Sequence, residues 1–315
     1  MAKAEAADMS SRLKGRVALL VVSLLLIYLL ITRSQSFEDS WGVLSGADPW
    51  RVLIASVFVA VTYILSGAVY TLLGLRRLRF GRTILVQAAS AFANRLLPAG
   101  LGGLTINVQY LRKSKHTTAQ ALAVAGTNNL LGFAGHLLLL FAVIVASKGA
   151  LFSKLHAPHA SLPLILGIIA AVIIIANVIV FSRLKHYLYA LTADVVHNLL
   201  LYRKKPGKLS AALFCSVLLT SCYVGVLYLC CQAVGADLSL WNAFAVFTVG
   251  IAAATVTPTP GGLGGAEAGL VAALVAYGFD ASTALAATLL YRLLTYWLPL
   301  LPGFAFFVSI RKRLV

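Results

Sequence analysis

Charge is what this sequence has least of. Only 11% of its 315 residues are Asp, Glu, Lys or Arg, and the acidic residues number nine. A soluble domain carries ~25% charged residues. With 60% apolar residues and a mean hydropathy of +0.92, the chain cannot cover itself with polar groups in water, so its solvent must be lipid. Cysteine is also sparse. Cys215, Cys222, Cys230 and Cys231 fall in one apolar run without a CxxC pair. On a helix Cys215 and Cys222 stand ~10 Å apart along the axis, beyond disulfide reach, and all four are expected to pack as small apolar residues. No Walker A, HExxH or GxSxG motif occurs, which removes the usual nucleotide, zinc-protease and serine-hydrolase sites. His156 and His159 have no Cys or carboxylate at ligand spacing, so no metal or other cofactor is expected.

Positive charge is what the sequence does have. Its 26 Lys and Arg give a formal net charge of +17. A pI near 10 suggests nucleic acid when the cations form a patch. Here they sit in short clusters between long apolar runs, so no nucleic-acid partner is expected. Six runs read as full spans: Val17–Thr32, Val52–Leu73, Thr117–Ala146, Leu162–Phe181, Ser210–Gln232 and Ala281–Ile310. Each is compatible with the ~20 residues that cross a hydrocarbon core, the first only if Arg16 and Arg33 snorkel. That first run has no clear small-residue cleavage site and is read as a retained span, not a signal peptide. Thr117 and Gln120 form a capping-box pattern, Asp280 can cap the last span, and Pro299 and Pro302 are expected to kink it.

Two further apolar regions are interrupted. Ile84–Leu111 contains Pro98-Ala-Gly-Leu-Gly-Gly103, and Leu240–Tyr277 contains Pro258-Thr-Pro-Gly-Gly-Leu-Gly-Gly265. Irregular backbone cannot face lipid, so each reads as two half-helices around a protected turn. If both regions re-enter and leave on one side, 20 of the 26 cations lie with a cytoplasmic N-terminus, as the positive-inside rule favours. The C-terminus then falls on the same side. Outside lie four cations and five acids, and the interior holds Arg95, Arg292 and Glu267. Residues 183–208 read as an amphipathic connector on the cytoplasmic face, or equally as a solvated basic linker.

The two interruptions share Pro-x-Gly-Leu-Gly-Gly, at Pro98 and at Pro260. Repeat 1 covers about 51–146 and repeat 2 about 210–310 of one domain spanning residues 1–315. Three spans separate the repeat starts, so the repeats are inverted, an arrangement found in secondary transporters. The expected fold is an all-α polytopic membrane protein with six spans and two re-entrant half-helix pairs.

Gly102 and Gly103, and Gly264 and Gly265, precede half-helix starts that can hold an anion or simply pack closely. Glu267 is the sole acid within an apolar segment, and Arg292 lies ~17 Å into the last span at ~1.5 Å per residue. Charges so placed mark a functional site or a paired ion. The partner expected for Arg292 is Glu267 or a substrate phosphate. Arg95, near the tip of the first half-helix, is a second phosphate candidate. Asn94, Asn107, Gln109, Asn128 and Asn129 concentrate amides in repeat 1, where they serve either interhelical hydrogen bonds or ligand contact. Asn129 aligns with Arg292. His136, the lone His within a span, is expected to be packed and hydrogen-bonded.

Pro260-Gly-Gly-Leu-Gly-Gly-Ala-Glu267, then Leu290-Tyr-Arg292 and Tyr296-x-x-Pro299, resemble the lysylphosphatidylglycerol synthase transmembrane-domain family. This flippase-like membrane domain occurs fused to aminoacyl-lipid synthases and also alone. The resemblance implies site roles for Gly261, Gly262, Gly264, Glu267, Tyr291 and Arg292, and for Gly102, Gly103, Asn128 and Asn129 in the first repeat. It implies translocation of a lipid between leaflets of the cell (inner) membrane, with membrane lipids as partners. A phospholipid and a polyprenyl phosphate both fit, with or without a coupling proton or cation and an oligomeric state. No aminoacyl-transfer domain follows Arg311–Val315, so synthase activity is not expected. A membrane-embedded headgroup transferase and a non-catalytic partner of a cell-envelope enzyme are the alternatives.

Overall fold

The computed structural model describes residues 35–96, 101–147, 202, 206–257 and 259–314. Every regular element among them is helical: α1 (Gln35–Ser45), α2 (Pro49–Leu73), α3 (Phe80–Leu96), α4 (Leu101–Lys113), α5 (Thr118–Ala146), α6 (Pro206–Ala233), α7 (Leu240–Val256), α8 (Gly265–Ala276), α9 (Ala281–Arg292) and α10 (Leu300–Leu314). The expected spans Val17–Thr32 and Leu162–Phe181, the turn at Pro98 and most of the 183–208 connector lie outside the described residues. Pro206–Lys208, expected in that connector, instead form the first turn of α6, where a proline's missing N–H costs nothing.

Local chemistry sets the boundaries. The Asp48 carboxylate accepts from the Trp50 backbone N–H at 2.9 Å and starts α2. Thr117 and Gln120 form the expected capping box of α5. Asp280 caps α9 through the Thr283 N–H at 2.9 Å. The Ser282 hydroxyl, and after it that backbone bond, hold the Asp280 carboxyl down at about 2, so the cap stays ionised at any physiological pH. Four stretches are long and apolar enough to cross a membrane: α2, α5, α6, and Ala281–Ser309 across α9 and α10. On α5, Leu130, Phe133, Leu138 and Phe141 are each more than half exposed. Such a band calls for lipid or a partner.

The last stretch is not one continuous helix. A π-helical turn, Leu293–Trp297, separates α9 from α10, with the Leu298 N–H reaching back to the Leu293 carbonyl at 2.8 Å. The break starts well before Pro299. Pro299 has no N–H to give the Thr295 carbonyl four residues earlier, and the ladder gives way there.

Contacts trace two helical hairpins. Thr83 meets Tyr110 at 2.9 Å, Gln87 meets Asn107 at 2.8 Å and Asn94 meets Gly103 at 2.5 Å. The numbers rise on α3 as they fall on α4, so the two are antiparallel. On α7 and α8, Thr257 faces Gly265, Ala253 faces Gly269 and Gly250 faces Leu270, the same antiparallel order. α2 and α6 are antiparallel too: the Ala233 carbonyl accepts from the Asp48 N–H at 2.9 Å, and the Gln232 carbonyl from Arg51 Nη1 at 2.5 Å.

These pairings place the hairpins head to head. The α3–α4 hairpin opens at the Arg76 end of α2, where the His116 ring accepts from the Arg76 backbone N–H at 3.1 Å. The α7–α8 hairpin opens at the other end, beside Asp48 and Ala233. There Ser40 Oγ donates to the Ser282 carbonyl at 2.9 Å. Each hairpin has its own apolar core. Leu73, Val86, Leu111 and Val124 belong to the first, and Leu227, Val246, Leu274 and Ala287 to the second, with α2 and α6 supplying both.

His116 is the clip that closes the first hairpin. A carbonyl can only accept and an amide N–H can only donate, so its neighbours dictate the tautomer. Nδ1–H donates to the Leu111 carbonyl at 3.0 Å, and bare Nε2 accepts from Arg76. Burial, aided by the Arg76 charge, lowers its pKa below the ordinary 6.5. The folded ring therefore binds a proton more weakly than the unfolded one. Its contribution is present above about pH 6.5 and is lost as pH falls through the lowered value. The protection factor of the Arg76 amide against hydrogen exchange should fall on acidification, and His116→Gln should remove that dependence. A flat wild-type profile would show that the ring is not the clip.

Candidate functional site

The predicted residues separate into two groups. One lies where the hairpin tips meet. The turn Pro260–Gly262 and the start of α8 run through Gly261, Gly262 and Gly264, with φ of +64°, +67° and +85°, a region only glycine enters freely. At Gly261 a Cβ would run into the Tyr296 ring, and at Gly262 it would stand 2.6 Å from the Ala254 Cβ. Gly265 packs on Thr257 and the Ala253 carbonyl. These glycines let the hairpin fold tightly against Tyr296.

Glu267, in the first turn of α8, uses both carboxylate oxygens. Oε2 accepts from the Gly264 N–H at 2.7 Å, and Oε1 accepts from Arg292 Nε at 2.6 Å. The first bond caps α8; the second makes an ion pair whose side chains are 22% and 10% exposed. Arg292, at the end of α9, lies with its guanidinium 4.4 Å from the Tyr296 ring centre, and Nη2 approaches the Gly261 carbonyl at 3.5 Å. Of the two partners open to Arg292 from sequence, Glu267 is the one in contact.

Arg95 approaches the same ring from α3, 5.3 Å from its centre. Its Nη2 donates at 2.6 Å to the Thr295 carbonyl, the group that Pro299 leaves without a helical donor. Its Nη1 is buried and has no partner. Two guanidinium groups thus contact one buried tyrosine, and only one of them, Arg292, is paired with a carboxylate. Tyr296 and Thr295 were not singled out as site residues from sequence. The signal available was Pro299, whose fixed position marks the carbonyl four residues back as free. Tyr291 faces the second apolar core beside Leu290 and Leu294.

The second group lines a cavity of about 340 Å³ between α2, α3, α4, α5 and α6. Gly103, Asn128 and Asn129 border it, as do Asn94 and Asn107. Gly103 N–H is taken by the Asn94 side chain at 2.5 Å. Gly102 is buried on the α3 side, where its bare Cα lies against the Ala93 carbonyl. His136 is packed as expected, stacked on Phe244 and 3.4 Å from the Thr248 hydroxyl. All four cysteines are free thiols. No cluster of three metal-ligating side chains occurs among the described residues.

Long apolar helices, an exposed apolar band and an ion pair enclosed between helical hairpins define a multi-pass helical membrane protein. The chain belongs to the family of the lysylphosphatidylglycerol synthase TM region, which its residues 16–303 match. No curated protein matches it.

Proposed function

We propose that this protein is a lipid translocator, not an enzyme, moving a phospholipid or polyprenyl-phosphate headgroup between leaflets. In this reading the hairpins are re-entrant and the repeats inverted. Six segments span the membrane, and the Arg76 end and both termini are cytoplasmic. The observation that carries it is the meeting of two hairpin tips from opposite ends at Arg95, Tyr296, Arg292 and Glu267. A site there is reachable from either side when one hairpin or the other moves, the geometry of alternating access.

Arg95 is the phosphate ligand in this scheme, because its unpartnered Nη1 is a buried cationic donor that a phosphate oxygen would satisfy. Arg292, already neutralised by Glu267, holds Tyr296 and the α8 turn in place. The acyl tails remain in lipid while the headgroup passes the tips.

The test is reconstitution in liposomes of phosphatidylcholine with a trace of fluorescent phosphatidylglycerol, followed by chemical quenching of the outer leaflet. Wild type should equilibrate the probe between leaflets. Arg95→Ala should slow this by about tenfold, which is ~1.4 kcal/mol. Arg95→Lys should recover part of it, since charge returns without the fork. A wild-type protein that moves no headgroup, with or without an imposed ion gradient, overturns the proposal.

A further inference from the structure

The 340 Å³ cavity neighbours the arginine cluster, since Asn94 on its wall precedes Arg95 and the Arg95 charge acts on the wall residue Tyr223, but its lining has a different chemistry. Its volume lies within the ~300–1,000 Å³ of small-ligand sites. Among the described residues no charged side chain borders it. Hydroxyls and amides do, together with the tyrosines Tyr63, Tyr70 and Tyr223. A neutral, polar cavity between helices of a membrane protein is costly to leave unfilled.

Part of the lining is fixed in orientation. Ser66 Oγ donates to Gln87 Oε1 at 3.2 Å, Gln87 Nε2 donates to Asn107 Oδ1 at 2.8 Å, and Asn107 Nδ2 donates to the Gly103 carbonyl at 3.0 Å. Each amide nitrogen carries two hydrogens, so the relay leaves Gln87 and Asn107 with a second N–H to offer. The Ser66 oxygen still has lone pairs. Ser90, 4% exposed and on the cavity wall, has a hydroxyl with no partner at all. A hydroxyl both gives and accepts.

The unused capacity is therefore mixed. A phosphate only accepts and would leave the Ser66 lone pairs unmet. An ammonium only donates, would leave the Gln87 and Asn107 N–H groups unmet, and would find no carboxylate among the described lining residues. A polyol gives and accepts from adjacent oxygens, and its C–H faces pack on tyrosine rings. We infer that the cavity binds a neutral, hydroxyl-rich moiety such as glycerol, inositol or a sugar. The inference rests on the translocator reading where that moiety is lipid-borne, and it then makes the polyol the part of the headgroup that is selected. An aminoacylated headgroup, which carries an ammonium, is disfavoured here.

Native mass spectrometry of the full chain in detergent tests this. The probes are phosphatidylinositol and phosphatidylglycerol against phosphatidic acid and lysyl-phosphatidylglycerol, with free myo-inositol as competitor. The polyol lipids should bind about tenfold more tightly than phosphatidic acid or the lysyl lipid. Ser90→Val, which fills the wall with methyl groups, should erase that gap and leave phosphatidic acid binding unchanged. Asn129→Leu, at an exposed position on the rim, should narrow it without disturbing the buried relay. Displacement by millimolar inositol assigns the site to free polyol as well; preference without displacement assigns it to a lipid headgroup. Equal binding of all four lipids together with no inositol effect overturns the inference. So does a Ser90→Val protein of wild-type melting temperature that keeps the full preference. Leaflet equilibration is read separately: polyol preference without movement refutes translocation alone, and movement without preference refutes the polyol site alone.

Discussion

Removing the Glu267 carboxylate should be among the most damaging single changes in the molecule. Glu267→Ala strips the Gly264 N–H of its cap and leaves the Arg292 guanidinium uncompensated at 9% exposure. Breaking a fully buried pair by deleting one partner costs ~3–5 kcal/mol. With Glu267 at 22% exposure, about 2–3 kcal/mol is expected here. Glu267→Gln should be milder, about 1–2 kcal/mol, because one amide oxygen can serve either the cap or Arg292 while its NH2 faces the other donor. Arg292→Met leaves a capped carboxylate and removes the cation from the Tyr296 ring. The double variant Glu267→Gln/Arg292→Met should lose less than the two singles together, by ~1 kcal/mol or more. Equilibrium unfolding in mixed micelles measures all of these. Strict additivity would mean that the ion pair does not hold the α8 turn to the π-helical turn.

How much of this was readable beforehand depends on the range of the interaction. Local rules carried far. Thr117 and Gln120 placed the start of α5 to the residue, Asp280 placed α9, and the interruption at Pro260–Gly262 became the turn between α7 and α8. The pairing of Glu267 with Arg292 was legible too, since two opposite charges in an apolar background have few other partners. Tertiary coincidences were not legible. Nothing near Arg95 in sequence says that it meets Thr295 and Tyr296, 200 positions on. The relay Ser66–Gln87–Asn107 joins three helices; of its members the sequence singles out only Asn107, as an interhelical hydrogen bond or a ligand contact. The last span is found where expected, over Ala281–Ser309, but its break lies at Leu293–Trp297, ahead of Pro299, because proline acts through the carbonyl four residues earlier. Pro206–Lys208 read with the basic connector because of the run of cations before them, while their place is the first turn of α6, where proline is tolerated.

Gly102→Ala should match or exceed the effect of Glu267→Ala, for a steric reason. A Cβ there would fall on the Ala93 carbonyl and stand 2.8 Å from the Asn94 backbone nitrogen. Both obstacles are main chain of α3, so no rotamer change relieves them. The α3 and α4 backbones would have to separate, which loosens the Asn94 cap on Gly103 and the Gln87–Asn107 bond together. Overpacking usually costs ~1–3 kcal/mol, and with backbone on both sides about 3 kcal/mol is expected. Two other glycines set the scale. Gly126→Ala, on α5 with nothing within 4 Å, should be neutral or gain up to ~1 kcal/mol from helix propensity. Gly264→Ala meets no neighbour either, but at a φ of +85° it should cost about 1–2 kcal/mol in backbone strain. Unfolding midpoints should therefore rank Gly126→Ala above Gly264→Ala above Gly102→Ala. Propensity alone would favour alanine at Gly102 as much as at Gly126, because both glycines are helical. A Gly102→Ala protein as stable as wild type would mean that α3 and α4 do not touch at Ala93. The hairpin tip would then have no fixed position from which Arg95 could reach Tyr296.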